Sequence, residues 1–169
     1  MMIIRPETQD DLEKIRNINS AAFATNDEAN LVDALRKSGA PLISLVAEEK
    51  GELIGHIIFS PVSLEGNQPS PFIAGLGPMA AIPECKNKGV GSRLVEEGLR
   101  HCKTSGYKAV VVLGHPEYYP RFGFVPSVNY DIKSEYQVPP EIFMIKELEE
   151  FALKGFNGTV KYHQAFSDI

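Results

Sequence analysis

A chain of 169 residues with 43% apolar and 23% charged side chains can bury a core without staples and has the composition of a globular protein. Its formal net charge of −5 argues against nucleic-acid and anionic-membrane partners, both of which ask for a basic face. Two cysteines are too few for a disulfide framework, Met1–Pro6 lacks the apolar core of a signal peptide, and no window approaches the roughly 20 apolar residues of a membrane span, so one domain over residues 1–169 in a reducing cytoplasm is expected.

In chain order, Ile3 and Ile4 open a strand that Pro6 ends. Thr8 with Asp11 three residues on reads as a capping box, and Leu12, Ile15, Ile18 and Ala22 then recur at helical spacing through Phe23. A second helix follows Thr25-Asn26-Asp27, carries Leu31, Val32 and Leu35, and ends near Gly39. Leu42 to Glu48 and Leu53 to Phe59 are apolar, β-branched runs around Glu49-Lys50-Gly51-Glu52, a hairpin signal. Glu65 to Pro71 is a polar loop, and a strand from about Phe72 to Ile82 follows, interrupted by Gly75, Gly77 and Pro78.

The most informative stretch comes next. Pro83-Glu84-Cys85-Lys86-Asn87-Lys88-Gly89-Val90-Gly91-Ser92 is a basic turn between that strand and an amphipathic helix. Gly89 and Gly91 let the backbone bend and come close to a ligand. The helix that starts there exposes unpaired amides and the positive end of its dipole, which makes a phosphate cradle. Lys86 and Lys88 add charge and Ser92 a hydroxyl. The pattern is neither a Rossmann fingerprint, since Leu94 stands where a third glycine is needed, nor a Walker loop, since Ser92-Arg93 follows Gly91. Val90, Leu94, Gly98 and Cys102 form the buried row of the helix, which Gly106 closes. Ala109 to Leu113 is a buried strand. Gly114 to Phe124 then holds His115, Glu117, Tyr118 and Tyr119. Simple aromatic packing is the alternative for the two tyrosines. Ser134 to Pro140 reads as a loop, Phe143 to Leu148 as a strand, Glu149 to Lys154 as a short helical turn, and Gly158 to Phe166 as a last strand.

Pro83 to Val95 resembles motif A of the GNAT N-acetyltransferase superfamily, whose pattern is Gln/Arg-x-x-Gly-x-Gly/Ala; Lys86 stands in the first position and keeps the charge without the planar fork. Gly75 to Pro83 is similar to a bacterial branch labelled YhbS-like, and Tyr119 to Phe124 resembles the family's Tyr-x-x-x-Gly-Phe. The resemblance implies an α/β (α+β) fold with a mixed central sheet of about seven strands flanked by helices, the strand before motif A splayed from its neighbour. It implies acetyl-CoA as co-substrate, with its pyrophosphate on Lys86, Asn87, Lys88, Gly89, Val90, Gly91 and Ser92. Unpaired backbone groups of Ala80, Ala81 and Ile82 would meet the pantetheine arm and the thioester carbonyl.

In such an enzyme Tyr119 would sit near the sulfur and protonate the departing thiolate. Glu28, His56, His115 and Glu117 are candidates for the base, with ordered water as the alternative; His56, inside Gly55-His56-Ile57, reads more readily as a hydrogen-bonded core histidine. The four histidines show no metal spacing, so no metal is expected. The expected activity is direct acetyl transfer to an amine of a small molecule or protein, by a monomer or homodimer. The alternatives are a non-catalytic CoA-binding or interaction module of the same fold, and a plain structural domain. Residues 24–30, 65–71 and 130–140 are the loops expected to shape the acceptor site.

Overall fold

The computed structural model describes residues 1–168. At its start, Thr8 has extended backbone, and its amide and hydroxyl both donate to Asp11 Oδ2, at 2.7 and 3.1 Å. That box launches a 3-10 turn that runs into α1 (Leu12–Phe23), and Ala24 in a left-handed conformation ends the helix. Arg5 clamps the same Asp11 through both guanidinium nitrogens and also reaches Glu48 at 3.0 Å. The helix α2 (Asp27–Lys37) buries Ala29, Leu31, Val32 and Leu35.

The chain divides into two compact units. Residues 1–60, 77–98 and those from 164 onward make the first. There β1 (Met2–Pro6) pairs antiparallel with β2 (Ile43–Glu49), which pairs antiparallel with β3 (Glu52–Glu65). The β2–β3 loop is Lys50-Gly51, with φ of 53° and 77°. Positive φ at both central residues is the two-residue turn whose twist matches a hairpin. Ile15, Ile18, Leu31, Val32 and Leu35 of the helices pack on Val46, Ile58 and Ala80 as one core. The buried face of α2 is the apolar row anticipated from spacing; in α1 Ile15 and Ile18 are buried as anticipated, but Leu12 is half-buried, Ala22 is exposed and the polar Asn19 is buried beside them.

Residues 61–76 and 99–163 make the second unit. Its sheet begins with β4 (Ile73–Ala81), which pairs in parallel with β5 (Ala109–Leu113) through Ile73↔Ala109, Ala74↔Val110 and Gly75↔Val111. From Gly77 onward β4 belongs to the first unit. Next to β5 lies β8 (Phe143–Glu147), antiparallel, and β8 also pairs with β6 (Val125–Pro126). β9 (Gly158–Lys161) pairs in parallel with β7 (Ile132–Ser134) and antiparallel with the end of β3. Ile73, Ala109, Val111, Ile132, Phe143, Ile145 and Val160 are the core of this unit. The helix α3 (Val90–Thr104) is the longest of the three α-helices among the described residues.

The mixed sheet with helices is the class expected, and four details differ. The described residues hold nine strands, not about seven; β6 and β7, of two and three residues, are too short for alternation to show. β3 runs on to Glu65 although Pro61 lies within it, because Val62 and Leu64 keep alternating inward beyond the proline. Residues 149–155 are not a helical turn. They form successive turns with Ala152→Glu149 and Lys154→Phe151 amide bonds, broken by positive φ at Phe151 and Gly155. The last strand stops at Lys161, and Gln164–Asp168 is 3-10.

Candidate active site

The turn between β4 and α3 is built from local bonds. Pro83–Cys85 forms a 3-10 turn with proline at its start, where a missing amide costs nothing. The Cys85 amide donates to Ile82 C=O at 2.9 Å, Lys86 to Pro83 at 3.2 Å and Lys88 to Cys85 at 3.3 Å. Asn87 (φ 68°) and Gly89 (φ 82°) then take left-handed backbone, a region that asparagine tolerates and glycine enters without strain. As the helix begins, Arg93 N–H donates to Gly89 C=O at 3.1 Å. The amides of Val90 and Gly91 precede it, at the positive end of the helix. Beyond the adjoining residues of the chain, no described atom lies within 4 Å of where a Gly89 Cβ would stand. Lys86, Asn87 and Lys88 are exposed, and Ser92 is half-buried on the first turn.

Two glycines fix where this helix starts. A Cβ on Gly55 of β3 would stand 2.6 Å from Val90 Cγ1 and 3.1 Å from Leu94 Cδ1. A Cβ on Gly98 would stand 2.3 Å from the Phe59 ring. The helix therefore lies on β3 at a distance only hydrogen allows at both points. Gly98 was expected in the buried row; Gly55 carried no signal, because its reason is a neighbour far along the chain.

One expectation on the strand before the turn needs correcting. Ile82 was expected to present unpaired backbone, yet its amide donates to Ile54 C=O at 2.9 Å and its carbonyl takes the Cys85 amide. The cause is local, since the chain turns immediately after Ile82 and is held to β3 as it does. The Lys86 and Lys88 amides are likewise engaged inside the turn, which leaves those two residues their side-chain charges. Ala80 is buried and Ala81 half-buried at the end of β4.

In the second unit the chain leaves β5 at Leu113, and the Gly114 amide donates to Ile142 C=O at 3.0 Å. The amides of Tyr118 and Tyr119 both point back to His115 C=O, at 3.1 and 3.3 Å. Tyr119–Phe122 is a 3-10 turn that Gly123 closes with φ 94°. The Tyr119 ring packs edge-on against Tyr118 at 5.1 Å and Phe124 at 5.7 Å. A Cβ on Gly114 would stand 2.3 Å from that ring, so Gly114 is the seat of Tyr119, a role that sequence reasoning missed. Tyr119 is 8% exposed. Burial, with Tyr118 beside it, pushes its phenol up to about 12, so the group holds its proton at neutral pH. Tyr118 lies under the Arg121 guanidinium, 4.5 Å from the ring centre.

The candidate bases fall in different surroundings. His115 and Glu117 are both exposed, with Nδ1 3.9 Å from Oε1. Glu28 lies in the first turn of α2 and accepts the Thr25 hydroxyl at 3.2 Å. His56 is fully buried in β3. The Ser44 hydroxyl donates to Glu7 Oε1, which also takes Arg36 Nη2 at 2.6 Å. Ser44 has one proton to give, so His56 Nε2–H must donate to Ser44 Oγ at 2.8 Å, and His56 Nδ1 accepts from Asn19 Nδ2 at 3.3 Å. The imidazole is thereby neutral, and burial, with the Arg36 charge, brings its pKa down to about 3. It is a core histidine. Cys102 is buried too, with its thiol pushed up to about 12 by burial, which leaves it inert. Among the described residues no cluster of three or more His, Cys, Asp or Glu is placed to hold a metal, and no helix is long and apolar enough to cross a membrane.

A family model described as an acetyltransferase (GNAT) domain matches residues 3–126. The chain belongs to the GNAT acetyltransferase family. The GNAT match takes in both the Lys86–Ser92 turn and Tyr119. Across the chain, the uncharacterized N-acetyltransferase YhbS of Escherichia coli (strain K12) is 35% identical over 167 residues, 98% of this chain and 99% of that protein. The 1.55 Å crystal structure of the GNAT family N-acetyltransferase YhbS from Escherichia coli in complex with CoA superposes with a TM-score of 0.93 at 34% identity, covering 98% of this chain and 92% of that one. A GNAT family acetyltransferase from Brucella melitensis, crystallised with acetyl-CoA, gives 0.81 at 35% identity and 98% coverage of both chains. The GNAT fold expected from motif A is thus shown.

Proposed function

We propose that this chain is an acetyl-CoA-dependent N-acetyltransferase that passes the acetyl group directly from the thioester to a primary amine. The observation that carries the reading is the open left-handed turn at Asn87 and Gly89, which leads into helix amides with no described atom beyond the adjoining residues within 4 Å of a Gly89 Cβ. It is the shape and charge an anionic diphosphate needs. The relatives support the same ligand, since the YhbS structure holds CoA and the Brucella melitensis structure holds acetyl-CoA. Main-chain amides of Asn87, Gly89, Val90, Gly91 and Ser92 hold the pyrophosphate, with the Lys86 and Lys88 ammonium groups beside it. Backbone groups of Ala80 and Ala81 serve the pantetheine arm, and the bonds Ile82 already makes give it the lesser part.

In the transfer the neutral amine nitrogen forms a bond to the acetyl carbon, the carbon–sulfur bond breaks, and its electron pair leaves with sulfur. Tyr119 gives that sulfur its phenolic proton. The proton released by the amine goes to His115, Glu28 or water, and Tyr119 is reprotonated from solvent, so one amide and one thiol form from one amine and one thioester. A backbone amide near Ala80 or Ala81 stabilises the carbonyl oxygen as it gains charge. Residues 1–169 act as one functional domain, in the cytoplasm, as a monomer or homodimer. The test is a screen of primary amines with acetyl-CoA that reads released thiol. Turnover with at least one amine class is expected. Tight acetyl-CoA binding with no turnover on any amine would replace the enzyme with a CoA-binding module.

A further inference from the structure

Within the second unit, a groove of about 670 Å³ opens beside β7 and β9. The parallel register sets Lys133 opposite Thr159, and Lys161 follows two residues along β9, so all three project from one face of the pair. All three line the groove. Lys133 is exposed and has no ion pair among the described residues; Lys161 Nζ lies 3.8 Å from Glu65. Ser127 lines it as well, is 1% exposed, and its hydroxyl has no hydrogen-bond partner. A buried hydroxyl left unbonded is costly, and a ligand atom in the groove would supply the missing partner. Glu135, which also lines the groove, accepts the Tyr162 amide at 2.5 Å.

Within the same unit, contacts lead from the walls of this groove to Gly75 of β4 and to the Gly114 seat of Tyr119. On one side Tyr136 stacks on Tyr162 at 5.8 Å, and the Tyr162 ring lies 3.1 Å from where a Gly75 Cβ would be. Gly75 is the last residue of β4 in register with β5. On the other side Phe143, a lining residue, pairs with Leu113, and its neighbour Ile142 accepts the amide of Gly114, the seat of Tyr119.

We propose that this groove is the acceptor site and that it selects amines that also carry a carboxylate, held by Lys133 and Lys161 with a hydrogen bond from Ser127. The proposal rests on the N-acetyltransferase reading above. The bonds made and broken are those of that transfer, and the carboxylate is bound without reacting. Lysines attract carboxylates as point charges, and the prolines at 139 and 140 with Phe143 offer an apolar wall for the carbon chain between the two ends.

The test uses the full chain saturated with acetyl-CoA and a panel of α- and ω-amino acids, each matched with its carboxamide and its decarboxylated amine. Thiol release is expected to show kcat/KM at least tenfold higher for the best amino acid than for its two partners. Lys133→Glu combined with Lys161→Glu is expected to erase that preference through KM, with acetyl-CoA affinity unchanged. Equal rates across a matched trio, or a preference that survives the double substitution, would overturn the proposal. A direct readout stands apart from turnover: in amide NMR spectra of the acetyl-CoA-loaded chain, the amino acids should shift Ser134 and Thr159. If acetyl-CoA binds and no panel member moves those signals, the groove assignment fails while the transferase reading stands. If acetyl-CoA itself does not bind, the transferase reading fails, and the groove assignment with it.

Discussion

Tyr119 is the residue on which the proposed chemistry turns. Its buried phenol has its pKa raised to about 12, so the proton it would give to sulfur is still in place well above neutral pH. The sign follows directly: a general acid with a raised pKa loses activity only as pH climbs toward that value. We therefore expect kcat to show no alkaline decline up to pH ~10, measured with a saturating amine. Tyr119→Phe should slow transfer by roughly 100-fold or more at unchanged acetyl-CoA affinity; an unchanged rate would mean that another group protonates the thiolate. Gly114→Ala places a Cβ 2.3 Å from the Tyr119 ring. It should lower kcat by moving the phenol while leaving the turn before α3 intact, and equal kcat in the two proteins would show that the ring tolerates the shift. The candidacy of Tyr119 rests on the resemblance of the stretch Tyr119 to Phe124 to the pattern Tyr-x-x-x-Gly-Phe. Gly114 was not legible in sequence, because the need for hydrogen there is set by a ring that folds back on it. Ile82 was misread for a similar reason, since its partner Ile54 lies on another strand.

At the scale of the elements, the seating of α3 on β3 decides where the helix amides point. Gly98→Ala would drive a methyl into the Phe59 ring at 2.3 to 2.4 Å. Overpacking of this kind costs about 1–3 kcal/mol, to be read as a lower midpoint in urea unfolding. Phe59→Leu in the same chain should recover part of that loss, because the two side chains contend for one space; strictly additive effects would refute the contact as the cause. The helix itself was plain in the sequence, with Val90, Leu94, Gly98 and Cys102 at helical spacing. So were the hairpin at Lys50-Gly51 and the cap at Thr8. The short strands Val125–Pro126 and Ile132–Ser134 were hidden, since two or three residues cannot display a period and their pairing partners supply the order. The continuation of β3 past Pro61 was hidden by the proline.

At the scale of the whole molecule, the buried His56 makes stability depend on pH. Its folded pKa is depressed to about 3 by burial and Arg36, against 6.5 in an open chain. Above about pH 6.5 both states are neutral there. As pH falls below that value, the unfolded chain takes up a proton that the folded one refuses, so stability drops between about 6.5 and 3. Asp11, held low chiefly by its bonds to Arg5, adds its own loss only as pH falls below its ordinary value of 3.8. A fall in urea midpoint from pH 6.5 to 4.5 that His56→Gln flattens is the expected result; the same slope in both proteins would assign it elsewhere. The family was readable from a few residues, Lys86 to Ser92 and Tyr119 to Phe124, while the groove at β7 and β9 was readable only as a loop near residues 130–140. Lys133 and Lys161 are brought to it by the parallel pairing of β7 with β9 rather than by sequence proximity, and Ser127 by the 3-10 turn that precedes β7. The central claim is that the turn before α3 grips acetyl-CoA, and titration calorimetry of acetyl-CoA into the native chain and into Gly89→Val tests it most directly. A side chain there meets φ 82° and stands in open space at the start of α3. Binding to the native chain and at least tenfold weaker binding to the folded variant is the predicted result, and equal affinity in the two, or no heat of binding in the native chain, would contradict it.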